Sequence, residues 1–117
     1  MLSALFIVVM GLGFSKAQTC VYMCQTTGAY GYAYGSSDVC TVAYNYCVNY
    51  GGVSPVSIFS TYSTGYGAIA VGTSAYGTRV IGVSAGYSNP EDARLRAINE
   101  CVSRGGQYVY IQDSWYD

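Results

Sequence analysis

Five cysteines and no histidine bound the chemistry open to this 117-residue chain. Without an imidazole there is no Ser-His-Asp or Cys-His nucleophile, and most zinc sites lose a ligand. Cys20, Cys24, Cys40 and Cys47 would supply four thiolates for zinc, but behind an export leader the same four are expected as disulfides. No CxxC redox motif is present. Glycoside chemistry needs two carboxyl groups converging on a cleft. Glu91 and Asp92 are accounted for by a helix start, and Glu100 by its i, i+4 partners. Only Asp38, Asp113 and Asp117 remain, and Asp38 also sits in a cap region. The glycine-rich stretch GYGAIAVG lacks a following Lys-Ser/Thr and a strand-to-helix junction, so it is not a phosphate loop. These residues predict no catalytic site, no metal and no cofactor: the protein is expected not to be an enzyme.

Tyrosine is what remains. The chain holds 14 Tyr and 15 Gly, and only 9% of its residues are charged. Tyrosine gives broad amphipathic area at low entropic cost, which suits contact surfaces. It also fits strands and fills cores, but a domain of this size cannot hide the whole set. Tyr32 and Tyr34 share one strand face, and Tyr108 and Tyr110 another. Tyr46 and Tyr50 stand i, i+4 on a helix. With Trp115 they form the candidate binding surface, for a protein or glycan partner. The alternative is a self-assembling structural or adhesive extracellular protein, with a homodimer or larger assembly of this chain as its partner. The Gly/Tyr bias, the low charge and the odd cysteine count favour it.

The elements that position these residues begin after the opening stretch, MLSALFIVVMGLGFSKA. This reads as a signal peptide, residues 1–17, cleaved after Ala17. Its apolar core is about 13 residues, short of the roughly 20 of a membrane span. Residues 18–117 are then a single secreted domain, extracellular or, in a bacterium, periplasmic, with no membrane contact after cleavage. Four arginines against six carboxylates leave that domain at −2. With no basic patch, nucleic acid and anionic membranes are poor partners.

Within the domain, CVNYGG at Cys47 recurs as CVSRGG at Cys101, 54 residues later. The match extends back to Asp38 over Asp92, with apolar positions at helical spacing. In the second copy Asn89 caps the helix, Pro90 begins it and Gly105 stops it. The first copy starts at Ser36 or Ser37 and stops at Gly51. Upstream, GAYGYAYG resembles SAYGTRVIG at an offset of 46, which puts eight extra residues between hairpin and helix in the second copy. Strand candidates are 20–25, 31–35 and 56–62, then 67–72, 78–84 and 107–112. The fold class is therefore α+β: two tandem strand-strand-helix-strand units, 18–62 and 63–117, giving an antiparallel sheet with two helices on one face, stapled by disulfides. The units could share one sheet or pack as two.

The segment YGAIAVGTSAYGTRVIGVSAGYSNPEDARLRAINEC resembles a family of small secreted domains of unknown function. The likeness rests on Gly67, Ala68, Ile69 and Ala70, on the helix from Ala93 to Cys101 and on the following glycine. It covers about 40 residues. It implies secretion and a fold, and it brings no activity with it. That family carries further cysteines after the last strand, where this chain ends in QDSWYD.

Cys20 and Cys24 lie on one strand face about 13 Å apart. Cys40 and Cys47 lie on one helical stripe about 10.5 Å apart. A helix running along the first strand predicts Cys20–Cys40 with Cys24–Cys47. The opposite direction predicts Cys20–Cys47 with Cys24–Cys40. Cys101 is left over. The hairpin offset sets it against Ala70, as a buried thiol acting as a small hydrophobe. An intermolecular bridge or a reactive thiol are the alternatives.

Overall fold

The computed structural model describes residues 18–35 and 38–117. The expected signal peptide, residues 1–17, lies outside the described residues, as do Ser36 and Ser37, the expected start of the first helix. The first unit runs β1 (Thr19–Met23), β2 (Tyr30–Tyr34), α1 (Val39–Asn49) and β3 (Val56–Thr61). The second runs β4 (Tyr66–Thr73), β5 (Arg79–Tyr87), α2 (Pro90–Ser103) and β6 (Gln107–Tyr116). This is the expected α+β class with two strand-strand-helix-strand units. The strands make two antiparallel three-stranded sheets, ordered β2–β1–β3 and β5–β4–β6.

The central strands β1 and β4 are apolar on both faces, and that fixes the layering. On β4, Ala68 and Ala70 pack with Ala97 and Cys101 of α2. Ile69 points the other way and joins Ile81, Val83 and Trp115 in a cluster that includes Val21 and Met23 of β1. Cys20 packs against Val39 and Ala43 of α1. The sheets thus meet through Val21, Met23 and Ile69, while each helix covers the far face of its own sheet. On β4 small residues face the helix and large ones face the other sheet, whereas on β1 Tyr22 lies on the helix side, edge-on to Tyr44 of α1. The two helices therefore lie on opposite outsides of the sheet pair instead of side by side on one sheet.

The units correspond residue by residue once their registers are compared. Tyr22 pairs with Gly31, and Ala70 with Gly82. A Cβ on Gly31 would meet the Ala43 carbonyl and the Cys47 nitrogen of α1. A Cβ on Gly82 would meet the Ala97 carbonyl and the Cys101 nitrogen of α2. Both strands can pass under their helices only as glycine. Each central strand also has a register shift against its third strand at the same place, Val21/Tyr22 and Ile69/Ala70. The offset is therefore 48 between β1 and β4, 51 between β2 and β5, and 54 between the helices. The 46-residue hairpin match is corrected. Ala29-Tyr30-Gly31 enters β2, whereas Ala75-Tyr76-Gly77 is a turn in which the Gly77 N–H donates to the Ser74 carbonyl. The same three letters serve two different tasks.

Helix α2 is set by its own sequence. The Asn89 side chain accepts from the Asp92 N–H at 2.8 Å, Pro90 opens the helix, and Glu91 and Asp92 occupy the first turn. Arg104 ends it and Gly105 follows at φ +95°. Helix α1 ends in the same way, with Gly51 at φ +97°, but among the described residues its first turn has no side-chain cap hydrogen bond and no acidic residue. It is held by burial of Val39, Ala43 and Cys47 and by the Cys20–Cys40 disulfide, with Cα atoms 5.1 Å apart.

Candidate functional site

The tyrosines of β2 alternate with small residues in the run Tyr30-Gly31-Tyr32-Ala33-Tyr34. Gly31 lies under α1, so Tyr30, Tyr32 and Tyr34 all point to the opposite face, toward the second sheet. Because α1 sits over β2, its Val42, Tyr46 and Tyr50 stripe hangs beyond the outer side of that strand. Between stripe and second sheet runs a groove of about 890 Å³. Its lining is residues 27–34 of the hairpin and β2, Val42, Tyr46 and Tyr50 of α1, and Arg79 and Gln112 of the second sheet.

The aromatic rings are ordered by one another. Tyr30 and Tyr32 stack at 6.3 Å, and Tyr46 and Tyr50 at 6.5 Å. Tyr34 stacks on Trp115 at 4.5 Å, within 6° of parallel. The Tyr32 hydroxyl donates to the Asp113 carboxylate at 3.1 Å, joining the two sheets. The Arg79 guanidinium carbon lies 5.0 Å from the Tyr30 ring centroid.

Burial pushes the Tyr30 phenol above its ordinary range, against the pull of Arg79. Burial raises Tyr32 and Tyr34 too, with the Asp113 charge adding to both. All three therefore stay protonated at neutral pH. The groove offers neutral phenol donors and acceptors, one amide, and one cation.

Of the residues expected to bind, the structure brings Tyr32, Tyr34, Tyr46 and Tyr50 into this groove. Tyr108 and Tyr110 are exposed on β6, at 89% and 53%, and do not line it. Trp115 is corrected from surface to core: it is 7% exposed, wedged between Tyr34 and the bare backbone of Gly67, where a Cβ would lie 2.5 Å from its ring nitrogen. Tyr30, Val42, Arg79 and Gln112 were not anticipated. The alternation that placed Tyr32 and Tyr34 on one face extends to Tyr30, so that residue was readable from the sequence. Arg79 and Gln112 come from the second unit, and only the packing of sheet on sheet brings them here.

The cysteines divide as follows. Cys20–Cys40 is formed, as the first pairing scheme expected. The second half of that scheme is corrected: Cys24 and Cys47 are buried free thiols sharing one cluster with Ala29. The Cys24 thiol donates to the Val53 carbonyl at 3.1 Å, and that of Cys47 to the Ala29 carbonyl at 3.4 Å. Hydrogen bonds from the Thr26 and Thr27 hydroxyls lower Cys24 to about 6, whereas burial raises Cys47 and Cys101. Cys101 is a buried free thiol donating to the Val80 carbonyl at 3.4 Å. Cys101 shares a buried cluster with Ala70, the neighbour expected for it. Gly72, the register counterpart of Cys24, is also close: a Cβ there would lie 3.2 Å from the Cys101 sulfur.

Comparison of the chain with protein-family models, curated proteins and solved structures finds no match. The described residues contain no helix long and apolar enough to cross a membrane.

Proposed function

We propose that the protein is a secreted, non-enzymatic binding module, and that its ligand lies in the groove along β2. The observation that carries this reading is the convergence of five tyrosines from two elements on one cleft, on neutral phenols held in place by stacking and by the Tyr32–Asp113 hydrogen bond. Such a surface recognises by shape, stacking and hydrogen bonding. Its volume is in the range of ligand sites, about 300–1,000 Å³. The disulfide and the apolar opening segment support secretion. The matched strand registers and matched register shifts support an origin by internal duplication.

The test is a glycan array and a displayed peptide library probed with the wild-type protein and with a Tyr46→Ala, Tyr50→Ala double variant. Binding by the wild type that the double variant loses is the expected result. Equal binding by both proteins places recognition elsewhere. The self-assembly reading draws on exposed Tyr62, Tyr76, Tyr108 and Tyr116, all outside the groove lining. Light scattering over a dilution series separates the two: a constant mass favours the binder, and growth with concentration favours assembly.

A further inference from the structure

β2 is the outer strand of its sheet. In an antiparallel pair, alternate residues turn their backbone groups toward the partner strand and away from it. The Cys24 N–H donates to the Ala29 carbonyl at 2.8 Å and the Gly35 N–H to the Gln18 carbonyl at 2.9 Å. With the register Tyr22 to Gly31 and Cys20 to Ala33, the inward set is residues 29, 31, 33 and 35. The N–H and C=O groups of Tyr30, Tyr32 and Tyr34 therefore face out, along the groove. No strand among the described residues pairs with them.

The second unit shows what a closed edge looks like. There the residue matching Tyr30 is Ile81, on the outer strand β5. Its outward carbonyl accepts from the Arg104 guanidinium at 3.1 Å. Arg104 is the counterpart of Tyr50, and Glu100, which pairs with it, is the counterpart of Tyr46. A charged side chain over an outer strand protects it from further pairing. In the first unit both charges are replaced by tyrosine, and the outward carbonyl of Tyr30 has no such cover.

Resting on the binding-module reading above, we propose that the groove takes an extended peptide segment of a partner protein, which adds to β2 as a fourth strand. The segment carries an acidic side chain at the end that reaches Arg79. The slot between the α1 stripe and the second sheet lies in the plane of the first sheet, where an added strand must go. β2 spans about 17 Å at 3.4 Å per residue, enough for five ligand residues. Alternate side chains of the ligand face Val42, Tyr46 and Tyr50, and the others face Gln112 and the second sheet. Main-chain bonds supply affinity and these two walls supply selection. Arg79 is the only charged side chain lining the groove, and no carboxylate pairs with it among the described residues. A second copy pairing through its own β2 brings no carboxylate, because residues 27–34 contain none. That argues for a foreign, acidic strand over self-pairing.

The test selects a phage-displayed random dodecapeptide library on the full secreted protein and resynthesises the enriched peptide. The expected peptide alternates apolar and other residues and holds Asp or Glu at one fixed position. N-methylation at alternate backbone positions weakens binding about tenfold or more, and at the positions between them leaves it unchanged. Arg79→Ala weakens the acidic peptide about tenfold and leaves its Asn/Gln version unaffected. The methylation scan leaves the protein untouched, so it decides the matter even if a variant folds poorly. An enriched peptide indifferent to methylation at every position overturns strand addition. An N-methyl pattern with no acidic preference overturns the assignment to Arg79. Glycan binding lost in the Tyr46→Ala, Tyr50→Ala variant, with no peptide enriched, overturns strand addition and leaves the binding module standing. No ligand of either kind overturns both.

Discussion

Replacing Gly31 with alanine tests whether α1 is seated on β2, the arrangement that creates the groove. The added methyl would fall on the Ala43 carbonyl oxygen, 2.5 Å from the Cys47 nitrogen and 2.8 Å from the Tyr46 Cβ. Carbon needs about 3.5 Å from such atoms, so the helix must retreat by roughly 1 Å. Two of the three obstacles are helix backbone, which has no rotamer to change. The Cys20–Cys40 bridge also ties the helix to β1. Overpacking of this kind costs about 1–3 kcal/mol, and a tethered backbone belongs at the upper end. Alanine gains back about 0.4–1 kcal/mol by restricting the unfolded chain. The net expectation is a loss of about 2 kcal/mol, or a fall in Tm of about 8–16 °C for a domain of this size. Urea denaturation with the disulfide intact reads it as a lower midpoint at unchanged slope. Gly82→Ala, which strikes the same atoms of α2, should lose a similar amount. The sign is decisive, because at a roomy site Gly→Ala stabilises. An unchanged or raised midpoint for Gly31→Ala would refute the close seat of α1 on β2.

Tyr32→Phe removes the donor to Asp113 and should cost about 1–2 kcal/mol in the same assay. In a spectroscopic titration of the folded protein, Tyr32 should remain protonated after the exposed phenols have ionised, and its ionisation with theirs would contradict its burial. Asn89→Ala should cost about 1 kcal/mol through loss of the α2 cap, and no loss would mean the helix start is fixed by packing alone. A small thiosulfonate, which turns a thiolate into a mixed disulfide with loss of sulfinate, should modify Cys24 ahead of Cys47 and Cys101, with a Cys24 rate that rises through about pH 6 as its thiolate forms. Modification of all three at one rate would contradict this ordering. The intact non-reduced protein should be a monomer by mass, since Cys101 is fully buried, and a covalent dimer through Cys101 would contradict that burial.

Where an element is specified by its own residues, the sequence could be read directly. Asn89, Pro90, Glu91 and Gly105 mark both ends of α2, and the small residues at 93, 97 and 101 mark its buried stripe. Helix α1 was legible only as the counterpart of α2, because its Tyr and Thr content hides it. The hairpin alignment failed for a physical reason. What the two units share there is a glycine under a helix, and letter matching found a turn instead. The meeting of the two sheets left a trace in GAIAVG, where alanines alternate with Ile69 and Val71: a strand covered on both sides by layers at different distances. The groove had half a signature. Tyrosines i, i+2 and i, i+4 pointed to two of its walls. Its cation and its amide belong to the other unit, 29 or more residues beyond Tyr50, and no local pattern connects them.

The chain passes from one unit to the other only once, between Thr61 of β3 and Tyr66 of β4. Among the described residues the units are otherwise joined without covalent bonds: by the shared apolar layer of Val21, Met23, Ile69, Ile81, Val83 and Trp115, by the Tyr34–Trp115 stack and the Arg79–Tyr30 contact, and by the Thr19–Asp117 and Tyr32–Asp113 hydrogen bonds. Cut at residues 63–64, neither piece could close its own core, yet each would keep a whole sheet, a whole helix and half of the interface. The two pieces are thus natural halves for fragment complementation. Expressed apart they should be sticky, and mixed they should find each other. The groove along β2, with walls from both, would be restored only in the reassembled pair.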